Sequence, residues 1–125
     1  MLLVCIRPAI LALIGCAVLL GLGIAWIDVA APWGDDTAKC ILVLWLAAGG
    51  VLGFCGPVKP WRWACALGPW LPLVHGIRYS LGLPGSIQPN TPATILILVP
   101  IALGACVAGT YAGASLRRAC TDSVP

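Results

Sequence analysis

From Pro8 to Ile27 the chain carries no charge, and Arg7 and Asp28 close the two ends. At ~1.5 Å rise per residue such a helix reaches roughly 30 Å, the thickness of a bilayer's hydrocarbon core. The pattern recurs. A second apolar run extends from about Cys40 to Gly56, between Lys39 and Lys59, and a third begins near Trp61 and fades by Leu83. The next uncharged stretch, from Arg78 to Arg117, is too long for one crossing and is interrupted by Pro84, Gly85, Ser86, Gln88, Pro89 and Asn90, residues that punctuate a loop. A fourth run starts at Thr91-Pro92, an N-cap followed by proline at the first helical position. The runs are continuous rather than alternating, so they predict helices and not barrel strands. The expected fold is an all-α, four-transmembrane-helix bundle, with helices at about 8–28, 39–56, 61–82 and 92–115 in a single membrane domain covering 1–125.

Composition excludes the soluble alternative. Charged residues make up 9% of the chain and hydrophobic residues 61%, whereas a soluble domain covers itself with about a quarter charged residues. A net charge of +3 is too small to point to nucleic acid, and the expected partner is the lipid bilayer. Five of the seven Lys and Arg residues (Arg7, Lys59, Arg62, Arg117, Arg118) lie at the N-terminus, in the 57–62 turn and at the C-terminus. By the positive-inside rule these regions are cytoplasmic, giving two helical hairpins with both termini inside. Trp26 and Trp33 then mark the outer boundary and Trp61 and Trp63 the inner one, while Trp45 and Trp70 fall deeper, between helices. Two processing events compete with the first span: signal-peptide cleavage near Val29-Ala30-Ala31, and lipidation of Cys16 in the lipobox-like Leu13-Ile14-Gly15-Cys16. A first transmembrane helix explains the long apolar run better than either.

Within the spans, small residues recur every fourth position: Ala17, Gly21 and Ala25; Gly49 and Gly53; Ala105, Gly109 and Gly113. Such stripes let helix backbones approach closely in lipid, either inside one bundle or between copies. Pro69 and Pro72 should bend the third helix, and Pro100 the fourth. A shift of 55 positions lays Ala38, Ala47 and Gly49 over Ala93, Ala102 and Gly104, a faint internal repeat.

Ionisable groups within a membrane are the first functional suspects. His75, Arg78 and Tyr79 share one helical face, and Asp28 at the outer end of the first span lies at similar depth. These four residues form the candidate polar cluster. Its expected geometry is an Asp28–Arg78 pair at the outer mouth, with His75 one turn deeper. The aspartates Asp35 and Asp36 precede the second helix and should favour its N-terminal dipole. The seven cysteines include no C-x-x-C pair, so no metal site and no cofactor are expected. Cys5, Cys55, Cys65 and Cys120 face the reducing side, which argues against disulfides. There is no Gly-rich phosphate loop, no H-E-x-x-H and no G-x-S-x-G, and an enzyme is not expected.

Asp35-Asp36-Thr37-Ala38-Lys39, the 56–63 segment Gly-Pro-Val-Lys-Pro-Trp-Arg-Trp and the 109–118 segment Gly-Thr-Tyr-Ala-Gly-Ala-Ser-Leu-Arg-Arg together resemble small four-helix bacterial integral membrane proteins. That resemblance implies four helices and a bacterial inner membrane, and it brings no activity and no functional residue. Length and helix number also fit small multidrug transporters and fluoride channels. However, the transporters' mid-helix Glu is missing from the first span, and the channels' Asn and Phe pattern is absent. The expected role is a helix-packing module that associates with itself, as a homo-oligomer, or with a larger membrane protein. A small transporter or channel acting as an oligomer is the alternative.

Overall fold

The computed structural model describes residues 8–30, 36–84 and 91–123, and these are almost entirely helical. The elements are α1 (Pro8–Ala30), α2 (Thr37–Cys55), α3 (Trp61–Leu67), α4 (Trp70–Ser80) and α5 (Pro92–Asp122). Helices α1, α2 and α5 are long and apolar enough to cross a membrane. Cys5, Arg7, Trp33, Asp35 and the loop positions 85–90 lie outside the described residues.

The third apolar run differs from the expected single bent helix. It is broken into α3 and α4 at Gly68-Pro69, although both residues keep right-handed helical dihedrals. Proline has no N–H to give to the carbonyl one turn back, and its ring crowds that carbonyl. Here the indole N–H of Trp70 donates to the Ala66 carbonyl (2.7 Å), and the backbone ladder resumes with the Leu73 N–H on the Pro69 carbonyl. Trp70 thus closes the break itself. Pro100, by contrast, sits inside an uninterrupted α5, which runs seven residues past the expected end at 115. Thr91 caps α5, its hydroxyl accepting from the Thr94 N–H.

The small-residue stripes are spent within the chain. A Cβ placed on Gly53 would meet the Thr110 carbonyl oxygen at 2.0 Å, one on Gly109 the Leu46 carbonyl oxygen at 2.5 Å, and one on Gly113 the Gly50 carbonyl oxygen at 2.0 Å. Contacts therefore advance in the same direction on α2 and α5, which run parallel with their backbones touching. Gly49 and Ala105 are buried along the same seam. On the other side of the bundle, Ala17, Gly21 and Ala25 are buried, and Gly21 lies against Trp70 and the Leu67 carbonyl. Only residues without a bulky side chain allow this spacing. The 55-residue repeat is not expressed in the packing, because Gly49 is buried while Gly104 is exposed with nothing near it. The core between the two seams is filled by Ile41, Trp45, Leu52, Trp63, Leu67 and Leu71. Large apolar side chains such as Leu19, Val43, Val51 and Leu96 cover the outside, the arrangement expected of a surface solvated by lipid.

Two contacts fasten one end of the bundle. The Arg117 guanidinium, from α5, donates through Nη1 to the carbonyls of Phe54 and Cys55, each at 2.9 Å. These carbonyls end α2, so a cation meets the negative end of its dipole as well as otherwise open acceptors. Trp63 was expected at the lipid interface. It is buried instead, with its indole N–H on the Gly56 carbonyl at 2.7 Å, plugging the turn between α2 and α3. Trp26 and Trp61 do lie exposed near helix ends, and Trp45 is buried in the core.

Candidate functional site

Each of the two seams brings one helix end into register with another. Along α1 and the α3–α4 segment the contacts also advance in parallel: Gly21 lies against Leu67 and Trp70, and two turns later Asp28 reaches His75. Asp28 sits two residues before the end of α1, where the helix still packs, and its carboxylate turns inward. His75 occupies the inner face of α4, the face that also buries Leu71 and Pro72.

The Asp28 Oδ2 to His75 Nε2 distance is 2.8 Å, a full hydrogen bond. Asp28 retains 5% of its exposure and His75 1%. Both side chains are therefore removed from solvent amid apolar neighbours, where an unpaired polar group is costly and a paired one is strongly held. The imidazole can donate as a neutral ring or as a cation, and the bond orients its Nε2 toward α1 in either case.

This differs from the expected Asp28–Arg78 pair. Asp28 takes His75, the residue expected beneath the pair, and the Arg78 guanidinium donates through Nη2 to the Pro84 carbonyl at the end of its own segment. The reason is helical phase and reach. His75 points at α1, whereas Arg78, three residues on, is half-buried to one side and long enough to fold back onto the turn after α4. Its Nε is buried with no hydrogen-bond partner among the described residues. Arg78 also borders an open groove of about 520 Å³ against Leu19, Trp26, Val29 and Val74. Tyr79 is 43% exposed. The structure thus brings together two of the four candidate residues, sets Arg78 beside them and leaves Tyr79 on the surface.

Other polar groups are local. Thr110 is fully buried and returns its hydroxyl to the Val107 carbonyl at 3.0 Å, as threonine does inside membrane helices. Asp36 precedes α2 without a side-chain cap and instead holds Lys39 at 2.6 Å, a pair exposed on both sides. Among the described residues no three His, Cys, Asp or Glu side chains converge as a metal would need. Cys106 is buried, and Cys16, Cys40, Cys55, Cys65 and Cys120 are free thiols at the surface. Sequence reasoning missed Arg117 as a helix cap and Trp63 as a plug. Neither has a local signal, since their acceptors lie on another helix or across a turn.

Comparison with family models, curated proteins and solved structures finds no match.

Proposed function

We propose that this chain is a four-span protein of the bacterial inner membrane, with both termini cytoplasmic, that works as a helix-packing module associating with itself or with a larger membrane protein. The fourth crossing is the α3–α4 segment, 61–80, which covers roughly 30 Å at helical rise despite its break. The positive-inside bias supports the orientation. One observation carries the association. With Ala105, Gly109 and Gly113 consumed against α2, a second face of α5, turned about 100° from the first, still presents Gly104, Ala108 and Ala112, small, exposed and four residues apart. A Cβ on Gly104 would meet nothing within 4 Å, so a second helix has room to approach there.

The test is self-association in bilayers, followed by energy transfer between labelled copies, for the wild type and for Gly104→Ile and Ala108→Ile. Both substitutions should weaken association several-fold and leave monomer stability unchanged. A wild-type chain that stays monomeric, and that brings down no membrane protein in mild detergent, would overturn the reading.

A second reading rests on Asp28 and His75. A buried acid–imidazole pair is a proton-binding element, which suits a small transporter or channel built as an oligomer. Solute or ion flux in liposomes that disappears in Asp28→Leu would favour it over the packing module.

A further inference from the structure

At the basic end of the bundle, a groove of about 670 Å³ opens between α1, the turn after α2, and α3. Its walls divide by chemistry. Ile10, Ile14, Val58 and Ala66 are apolar, and among the described residues Lys59 and Arg62 are the only charged ones on it. Both cations are exposed, and among the described residues no acidic side chain lines the groove to neutralise them. Lys59 is set by a left-handed backbone (φ 56°) in the turn, and the Arg62 guanidinium lies 5.7 Å from the centre of the Trp61 ring. Trp63 forms the groove's inner wall, and its one polar group is already used on the Gly56 carbonyl.

The two halves are ordered along the membrane normal. Ile10 to Ile14 on α1, and Arg62 to Ala66 on α3, each descend one helical turn, about 6 Å, from the basic rim toward the bundle's middle. A ligand filling the groove would thus be anionic at the rim and aliphatic below it. We infer that this groove binds an anionic phospholipid, with its headgroup phosphate between Lys59 and Arg62 and an acyl chain laid over Ile10, Ile14 and Ala66. Charge complementarity selects the headgroup, and basic pockets between transmembrane helices are a known mode of such recognition. The inference rests on membrane placement and not on the association proposed above.

The experiment is native mass spectrometry of the full chain released from nanodiscs containing equal phosphatidylglycerol and phosphatidylcholine. The wild type should retain phosphatidylglycerol at least about fivefold over phosphatidylcholine, a difference of about 1 kcal/mol. Lys59→Gln with Arg62→Gln should abolish the preference, whereas Arg118→Gln, at the exposed end of α5, should keep it. Should the double variant misfold, the wild type released at high salt serves instead, because a charge-based preference must shrink there. Inorganic phosphate added to the nanodiscs should not displace the lipid, since it lacks the chain. Equal retention of the two lipids, a preference that survives the double substitution or high salt, or displacement by phosphate alone would each overturn the inference. Loss of self-association in Gly104→Ile with the lipid still bound would separate this site from the proposed interface.

Discussion

Asp28 and His75 are 47 positions apart and meet at 2.8 Å with almost no exposure. A pair this buried gives asymmetric results on mutation, because removing one member leaves the other desolvated. Asp28→Ala and His75→Ala should each lower stability in detergent by about 1–3 kcal/mol. The double variant should cost less than the sum of the two, with a coupling of at least ~0.5 kcal/mol in a double-mutant cycle. Strict additivity in thermal or denaturant unfolding would show that the hydrogen bond contributes nothing. Asp28→Asn keeps an acceptor at the same place and should be milder than Asp28→Ala. Arg117 is the second residue whose role is long-range. Arg117→Ala frees the Phe54 and Cys55 carbonyls at an exposed helix end, so a loss of about 0.5–1.5 kcal/mol is expected. Arg117→Lys should recover part of it, since a single ammonium can reach the carbonyls without the guanidinium's fork. An unchanged melting temperature for Arg117→Ala would mean that water replaces the cap.

Among the elements, α5 shows how one helix can carry two stripes of small residues with opposite fates. Gly53→Ala and Gly113→Ala place a methyl 2.0 Å from a carbonyl oxygen of the facing backbone, and neither backbone can yield without parting α2 from α5. Each should destabilise by about 1–3 kcal/mol, the usual cost of overpacking. Gly104→Ala meets nothing and replaces the more flexible residue in a helix, so it should be neutral or stabilising by up to ~1 kcal/mol in the monomer. Equal effects at Gly104 and Gly113, read by thermal unfolding in detergent, would contradict the packing described. The α3–α4 break makes a similar point. Its prolines remove backbone donors, and the Trp70 indole supplies one to Ala66. Trp70→Phe keeps an aromatic ring, though a smaller one, and loses that donor, so it should loosen the break, seen as faster amide exchange around 65–71.

For the whole molecule, the proposed orientation puts Arg117 and Arg118 in the cytoplasm together with the 57–62 turn. A reporter active only outside the inner membrane, fused after Arg118, should stay silent, and one fused in the 31–35 connection should be active. A signal after Arg118 would invert the bundle, and the lipid groove would then face the outer leaflet. The parallel pairing of α2 with α5 and of α1 with α3–α4 gives the bundle two seams of different character. One is glycine against backbone, and the other is small residues followed by a buried polar pair. Perturbing Asp28–His75 should therefore loosen α1 and leave the α2–α5 seam intact. Amide exchange that accelerates equally in α2 and α5 for Asp28→Ala would argue against two separable seams.

The sequence by itself determined that the chain is helical and apolar, where α1, α2 and α5 begin, and which positions could accept a close neighbour. Those properties follow from runs of uncharged residues, from Thr91-Pro92, and from glycine or alanine every fourth position, all of which are local in the chain. It also drew attention to Asp28, His75 and Arg78, because charge in an apolar run is rare. Partner choice was decided only in three dimensions. Asp28 turns to His75 and not Arg78 because the phases of α1 and α4 aim those two side chains at each other, while Arg78 folds back on Pro84. Trp63 left the interface to plug a turn, and Arg117 became a cap for a helix more than sixty residues away. Which small-residue stripe faces inward was likewise invisible in the spacing. Ala105-Gly109-Gly113 and Gly104-Ala108-Ala112 have the same period and differ by one position, and a helix rotation of about 100° separates them. Only the packing of α2 against α5 chose between them.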